Sequence, residues 1–333
     1  MPASRLSLAS ALTIAGACLL LLCLASLMFG AGDVGVSRSL LALLGAADEQ
    51  ARFVVHDLRW PRTELGLLVG VALGAAGLLL QSVTRNPLAE PGLMGVSAGA
   101  SFAVVLAIAL GASAASLNLL VAVGGALGGC LLVLLVTQMR GVGNDPVRLV
   151  LAGAAFSGLL TALSSMLLLQ DQRTADEMRF WVVGALAGRP LDTLVWSLPG
   201  LLAGLLLALP LIPALAALSL GERVASGLGH HPHITRLVTL LAVALLVGTA
   251  TAAAGPISFV GLVVPYIARR LVGTDIRRTF GLSLLLGPCI VLFADILSRL
   301  AVRPYELPVG VITALVGAPI LIAVVRSHRL PTL

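Results

Sequence analysis

Long apolar stretches, separated by short polar turns, run along almost the whole chain. Marking each stretch between charged residues, prolines and turn residues gives ten candidate membrane spans. They cover roughly residues 10–30, 63–83, 93–111, 115–138, 147–169, 193–218, 236–255, 257–268, 280–298 and 308–326. A straight helix needs about 20 apolar residues to cross a bilayer. The pattern therefore predicts an all-α, polytopic membrane protein with about ten transmembrane helices, forming a single transmembrane domain over residues 1–333.

Two of these spans are broken by prolines. The eighth is too short to cross as a straight helix, follows Gly255 and Pro256, and contains Pro265. The third begins behind Pro87 and Pro91. Broken helices are tolerated inside a membrane only where protein or a water-filled path surrounds them. Both breaks are therefore predicted to line a pathway.

The composition excludes a soluble protein. Hydrophobic residues make up 59% of the chain even without its 36 glycines, and charged residues only 11%. Soluble domains average about 45–50% apolar with glycine included, and about 25% charged. The polar surface is too small to cover a globule of this size, and the loops leave no room for a soluble domain.

All 21 basic residues are arginine. A phosphate-binding Walker A loop needs a lysine, so the chain is not expected to be an enzyme that hydrolyses ATP by that route, and any ATP-driven work would come from a partner. The basic residues lie in short loops, which points to membrane topology rather than to nucleic acid. Twelve of them fall on the side of the N-terminus, which predicts that both termini are cytoplasmic. The first apolar run is interpreted as an uncleaved helix rather than a signal peptide.

No metal site or cofactor is predicted in this chain. The four cysteines lie inside apolar runs and are interpreted as small apolar side chains. His230, His231 and His233 are close in sequence, but Glu222 is the only other ligand type near them. A zinc site usually has three or four protein ligands.

The second span carries a glycine stripe, Gly66, Gly70, Gly74 and Gly77. Small residues at this spacing let helix backbones approach closely, so close packing against neighbouring helices is predicted. The span ends in a polar, proline-rich turn. That turn is either a place where a passage closes or a rigid solvated loop.

The stretch from residue 59 to residue 100 reads RWPRTELGLLVGVALGAAGLLLQSVTRNPLAEPGLMGVSAGA. It resembles the signature of the FecCD/BtuC-type permeases of binding-protein-dependent ABC importers for iron siderophores, haem and vitamin B12. Further matches follow in order: LVLAGAAFSG, FWVVGALAG, GPISFVGLVVPYIARRLVG, FADILSR and ELPVGVITALVGAPILI. The resemblance, closest to the ferric-siderophore branch, implies a type II importer permease fold, a dimer and ATP-driven alternating access in a bacterial cytoplasmic membrane.

The resemblance also implies a coupling segment between the sixth and seventh spans. The spacing predicts a short helix from about Leu220 to Leu228 that ends at Gly229. In the family, the matching loop inserts into the ATPase subunit. The implied segment comprises Leu220, Gly221, Glu222, Arg223, Val224, Leu228 and Gly229. An ordinary amphipathic connector is the alternative.

Two further sets of residues are carried over by the resemblance. Arg59, Arg62 and Arg299 match arginines that receive carboxylates from a substrate-binding protein, although arginines at a membrane interface also snorkel. Asp295 lies four residues before Arg299 and could pair with it. The translocation gate is assigned to Asn86, Leu88, Asn144 and Asp145. The family often has small hydroxyl residues at the last two positions, so this pair departs from its pattern.

The partners implied are two ATPase subunits, an external binding protein, membrane lipid and a second permease chain. The second permease chain is a copy of this one or a related chain, and the heterodimer is favoured. The cargo implied is a ferric siderophore, with haem or vitamin B12 as alternatives. An ion-coupled secondary transporter is the alternative of another class. Such transporters place ionisable groups near the bilayer midplane, whereas the acids here fall close to span ends.

Overall fold

The computed structural model describes residues 6–112, 119–138, 146–178 and 181–326, and these residues contain helices and no strand. The helices are α1 Leu8–Met28, α2 Val36–Leu43, α3 Glu49–Phe53, α4 Trp60–Thr84, α5 Val96–Ala109, α6 Leu119–Gln138, α7 Pro146–Gln170, α8 Gln172–Met178, α9 Thr193–Ala208, α10 Leu211–Ser219, α11 Glu222–Gly227, α12 Pro232–Ala254, α13 Val260–Val272, α14 Ile276–Leu300 and α15 Val309–Arg326. A π-helical stretch, Val54–Arg59, joins α3 to α4, and a 3₁₀ turn, Pro91–Met94, precedes α5.

Each predicted span coincides with a helix, and the sixth is the pair α9 and α10, bent by 50°. The all-α prediction is confirmed. Among the described residues, five helices are long and apolar enough to cross a membrane, or six if the bent pair is one span. The five are α1, the continuous helix Glu49–Thr84, the Leu151–Gln170 part of α7, α12 and α14. The eighth predicted span corresponds to α13, which ends at Val272, four residues beyond the predicted end at residue 268.

Helix α4 lies at the centre of the bundle. From Leu68 to Thr84, every residue except Val71 is buried. A helix that is apolar and buried all round is an interior helix, and α12, α13 and α14 pack against this one.

The predicted glycine stripe is the reason for this close packing. A Cβ added at Gly77 would lie 1.9 Å from the carbonyl oxygen of Gly261 in α13. One added at Gly70 would lie 2.4 Å from the backbone of Pro288 in α14. Ordinary carbon contacts begin near 3.5 Å, so only glycine fits at these helix crossings. The prediction is confirmed.

Helices α5 and α6 cross in the same way. A Cβ at Gly99 would lie 2.3 Å from the oxygen of Gly125, and one at Gly129 would lie 2.3 Å from the oxygen of Gly95. The bundle thus depends on backbone-to-backbone contact at three crossings, α4 with α13, α4 with α14, and α5 with α6. Its outer helices instead expose large apolar side chains, such as Leu20 of α1 and Leu169 of α7, as a lipid-facing surface requires.

Candidate functional site

Polar groups gather at the two ends of the bundle. At the end where α4 begins, five charged residues form what we call the charged end: Arg59, Arg62, Asp295, Arg299 and Glu306. At the end where α4 finishes, the loop of residues 85–90 meets α13, and we call this the gate end.

Arg59 holds the end of α1. Its Nη1 donates to the carbonyl oxygens of Leu27 and Met28, each at 3.0 Å, and to Oγ of Ser39 at 2.8 Å. The last carbonyls of a helix have no partner within the helix, and a cation there satisfies them and complements the helix dipole. Arg59 is 5% exposed. It therefore joins α1 and α2 to the start of α4.

Arg299 and Asp295 form a fully buried pair on α14. Their side chains are bonded to each other, which confirms the pairing predicted from their spacing. Nη1 of Arg299 also donates to the carbonyl oxygen of Ser26 at 2.7 Å, and Nη2 donates to Oγ of Ser26 at 3.0 Å. A buried charge is tolerated only when it is paired and hydrogen-bonded, and this pair meets both conditions at every atom except Nε of Arg299, which has no partner among the described residues.

Arg62 extends the pair into a chain of alternating charges. Its Nε donates to Oδ1 of Asp295 at 2.9 Å, and its Nη1 donates to Oε2 of Glu306 at 2.6 Å. Glu306 comes from the loop between α14 and α15. The network therefore ties three helices together at this end. Sequence reasoning missed the contact of Arg62 with Glu306.

All three arginines predicted to dock a partner thus lie in one part of the molecule. Two of them, Arg59 and Arg299, are buried and donate to groups of their own chain. Arg62 keeps some exposure, with 10% of its side chain accessible. Their docking role stays a prediction, and Arg62 is the member best placed to meet an outside carboxylate.

A cavity of about 410 Å³ lies beside this network. It is lined by Arg62 and Glu306, by the loop of residues 185–189, and by residues 307–309 at the start of α15. A second, more open groove of about 740 Å³ runs along α15 from Gly310 to Ile322. Apart from Ser258, the described residues that line it are glycine or have apolar side chains.

At the gate end, the loop that follows α4 is held by its own polar groups. Arg85 ends α4 in the left-handed region, with φ of 49°, and its Nη2 donates to the carbonyl oxygen of Leu218 in α10. The side-chain oxygen of Asn86 accepts from the backbone N–H of Leu88 at 2.9 Å, which forms a tight turn. The predicted gate residues Asn86 and Leu88 are therefore in an ordered, half-buried turn. Asn144 and Asp145 lie outside the described residues.

Glu90 joins this turn to α13. Its Oε1 accepts from the backbone N–H of Phe259 at 2.5 Å, at the point where α13 begins. A carboxylate at a helix N-terminus satisfies a free donor and complements the dipole. Phe259 has φ of 69°, an unusual value for a bulky residue. Burial raises the pKa of Glu90, and the bond from Phe259 opposes that rise.

Gln81 and Arg269 make a second connection between α4 and α13. Nη1 of Arg269 donates to Oε1 of Gln81 at 2.6 Å. Both residues are buried, and Nη2 of Arg269 has no hydrogen-bond partner in the part of the chain that the structure describes. Two contacts, one by Glu90 and one by Gln81, thus fix α13 to the gate end. Sequence reasoning did not find either pair.

The predicted coupling helix is present as α11. It is shorter than predicted at its first end, because Gly221, with φ of 121°, precedes Glu222. Gly229, with φ of 83°, ends it as predicted. Ala225 faces the bundle, whereas the large side chains of Leu220, Val224 and Leu228 are 70%, 44% and 63% exposed. The predicted coupling residues thus lie together on one exposed segment between α10 and α12.

Among the described residues, no three His, Cys, Asp or Glu side chains lie close enough together to hold a metal ion. His230, His231 and His233 are described and do not form such a group. Glu222 is instead paired with Arg236 of α12.

Known proteins resemble this chain over most of its length. It is 47% identical to the ferric enterobactin transport system permease protein FepD of Escherichia coli K12, over 90% of each chain. It is 38% identical to the iron(3+)-hydroxamate import system permease protein FhuB of Bacillus subtilis, over 95% of this chain and 83% of FhuB. A solved ABC transporter assigned to the metal-chelate type, in an inward-facing conformation, superposes with a TM-score of 0.81 at 28% identity. That match covers 97% of this chain and all of the solved one. The sequence pattern of the FecCD transport family matches residues 18–327, and the chain belongs to that family of multi-pass membrane permeases.

Proposed function

We propose that this chain is the membrane permease of a binding-protein-dependent ABC importer, and that the importer carries a ferric siderophore across a bacterial cytoplasmic membrane. The observation that carries the proposal is α11, a short helix in the connection between α10 and α12, on and beside which large apolar side chains are exposed. Exposed apolar side chains gathered on one polar-flanked turn are typical of a contact with another protein. FepD and FhuB are named for ferric enterobactin and iron(3+)-hydroxamate transport, which supports the choice of cargo.

The partner at α11 is an ATPase subunit, one for each permease chain, and it binds ATP with magnesium and hydrolyses the ATP. Val224 and Leu228 offer an apolar ridge, and exposed Arg223 adds a positive charge beside it. On the opposite side, Ala225 is fully buried, and the backbone N–H of Ala225 donates to the oxygen of Gly221. A rigid turn attached to α10 on one side and to the long helix α12 on the other passes on a push as a rigid-body motion.

The second permease chain packs beside α15. The groove along this helix is lined by small or apolar residues, among them Ala314, Ala318 and Leu315. Small residues at a four-residue spacing permit close packing of a second chain. Two such grooves facing each other would enclose a route with apolar walls and no tight binding site. Selectivity would then lie mainly in the binding protein, and a related second chain is favoured over a copy.

The charged end faces outward in this proposal and receives the binding protein, and the gate end with α11 faces the cytoplasm. The arginine excess on the side of residues 85, 223 and 269–278 supports this orientation. Both termini are then cytoplasmic. Arg62 is the first contact for a partner carboxylate, because Arg59 and Arg299 lie behind it.

An ion-coupled secondary transporter is disfavoured by where the acids lie. Within the described part of the chain, the acidic side chains inside helices of the bundle are at its ends. Asp295 is neutralised by Arg62 and Arg299, and Glu64 accepts from the indole of Trp60 near the start of α4. Coupling sites for protons or sodium lie near the midplane instead. Haem and vitamin B12 remain the alternative cargoes within the importer class.

Uptake of an iron-55 siderophore complex into vesicles tests the proposal. The vesicles contain this chain with its second permease chain, with or without the ATPase, the binding protein and enclosed ATP. We expect uptake only from the complete assembly with ATP. Uptake that a proton or sodium gradient drives without the ATPase would overturn the proposal, and uptake of haem or vitamin B12 alone would change the cargo.

A further inference from the structure

The cavity at the charged end carries one positive charge that no acidic side chain of the described residues balances. Of the charges around it, Arg62 is paired with Asp295 and Glu306, and Asp295 is paired again with Arg299. Arg189 lines the same cavity. Its Nε donates to the carbonyl oxygen of Ala185 at 3.0 Å, and among the described residues it has no carboxylate partner.

Arg189 remains charged although it is largely withdrawn from water. Burial lowers its pKa to about 10, so at neutral pH the guanidinium keeps its proton. A charge in a partly desolvated position binds an opposite charge more strongly than the same charge on an open surface does. The two terminal nitrogens of a guanidinium also match the two oxygens of a carboxylate-like group.

The loop that carries Arg189 is fixed in place. The backbone N–H of Ala185 donates to the oxygen of Ala254 at the end of α12, at 2.8 Å. The N–H of Gly310 in α15 donates to the oxygen of Gly184 at 3.1 Å. Gly184 has φ of 77°, and a Cβ there would lie 2.4 Å from the oxygen of Pro256. The wall of the cavity is therefore preorganised rather than a mobile surface loop.

We propose that this cavity is a binding site for an oxyanion, with Arg189 as its anchor, and that it receives an anionic oxygen group of the cargo. Its volume of about 410 Å³ lies within the range of small-molecule pockets. Trp181, Leu186, Pro308 and Val309 supply apolar walls for the body of the ligand. Glu306 also faces the cavity, but its carboxylate is held by Arg62.

The position of the cavity agrees with this assignment. It adjoins the groove along α15. Trp181 and Val309 line the cavity, and the residues that follow them in the chain, 182–183 and 310, line the groove. The cargo role rests on the proposed function. An anionic chelate released at the charged end would meet Arg189 before it enters the apolar groove. A concave, single-cation site suits a small anion better than it suits a side chain on the broad surface of a protein.

Binding of 4-fluorobenzoate to the purified full chain in lipid nanodiscs, followed by fluorine NMR, tests the site. We expect saturable binding to the unaltered chain and at least about tenfold weaker binding to Arg189→Gln, since a hydrogen-bonded ion contact is lost. Arg189→Lys keeps the charge and is expected to retain part of the affinity, which separates loss of charge from misfolding. Arg303→Gln is the control, because Arg303 is an exposed arginine near this end and does not line the cavity. Neutral 4-fluorobenzamide should not compete.

Equal binding by the Arg189→Gln and unaltered chains, or no saturable binding, would overturn the site. Nanodiscs of phosphatidylcholine alone, compared with discs that also contain phosphatidylglycerol, distinguish cargo from lipid. Displacement of the probe by phosphatidylglycerol would assign the site to a lipid phosphate and overturn the cargo role. In the vesicle assay, Arg189→Gln should raise the KM for an anionic ferric siderophore more than that for an uncharged one. Loss of all uptake by the unaltered chain would refute the proposed function while leaving the probe result intact.

Discussion

Replacing Gly77 by alanine tests whether backbone contact at the α4 crossings holds the bundle together. The new Cβ would lie 1.9 Å from the carbonyl oxygen of Gly261 in α13. Because the obstacle is backbone, no side chain can rotate away from it. The two helices would have to separate by roughly 1.5 Å to restore an ordinary contact.

The cost can be estimated from two opposing effects. Overpacking a well-packed interior costs about 1–3 kcal/mol, and a rigid obstacle places this substitution near the upper value. Within a helix, alanine is more favourable than glycine by up to about 1 kcal/mol, which offsets part of this cost. The net loss is about 2 kcal/mol, or about thirtyfold in the ratio of folded to unfolded protein. Gly281→Ala in α14 is the matched control, because no atom of the described residues lies within 4 Å of the added Cβ, so it should be neutral or slightly stabilising.

The free energy of unfolding, measured in mixed micelles of increasing SDS fraction, checks this estimate. We expect Gly77→Ala to lose about 2 kcal/mol and Gly281→Ala to lose nothing. Since Gly77 also lies two turns before the loop of the gate end, uptake should fall with stability. Equal stability of the two variants would refute the packing of α4 against α13 described above.

Three other perturbations address the two ends of the bundle. Charge reversal at Glu222 and Arg223 together should uncouple ATP hydrolysis from uptake. Membrane insertion should be normal, because both side chains lie on the exposed turn. Unchanged uptake would remove the coupling assignment. Arg62→Glu should weaken the affinity for the binding protein, and the loss should be larger at low ionic strength. Surface plasmon resonance at two salt concentrations measures this affinity, and an equal loss at both would contradict the prediction. Burial raises the pKa of Glu90 in the folded state above its value in the unfolded state. The folded protein therefore holds this proton to a higher pH, and its stability should fall as pH rises between the two pKa values. Glu90→Gln should flatten that part of a stability curve measured against pH, and identical curves would exclude the effect.

Features set by local spacing could be predicted from the sequence. The glycine stripe of α4 was visible as a three- and four-residue repeat, and the pairing of Asp295 with Arg299 follows from their positions one helical turn apart. The end of α11 at Gly229 was also predictable, since only glycine readily adopts positive φ. Such features depend on the geometry of a single helix.

The contacts that join helices were not predictable in this way. Arg62 meets Glu306 across 244 residues, and Glu90 meets the backbone of Phe259 across 169 residues. Their pairing depends on how helices pack and not on any local repeat. The same holds for Arg189, whose unbalanced charge becomes evident only when the pairs around the cavity are known. The sequence also did not indicate that Arg59 would turn inward to hold α1.

The central claim is that energy from a separate ATPase enters this chain through α11, and one double variant tests it directly. Val224→Asp with Leu228→Asp removes the exposed apolar ridge and leaves buried Ala225 in place, while Ser226→Asn alters the same turn without removing apolar surface. ATP hydrolysis and iron uptake are measured together in vesicles that contain the full assembly. We predict that the double variant inserts normally but loses ATP-driven uptake, and that Ser226→Asn behaves as the unaltered chain. Normal uptake per ATP in the double variant would contradict the account.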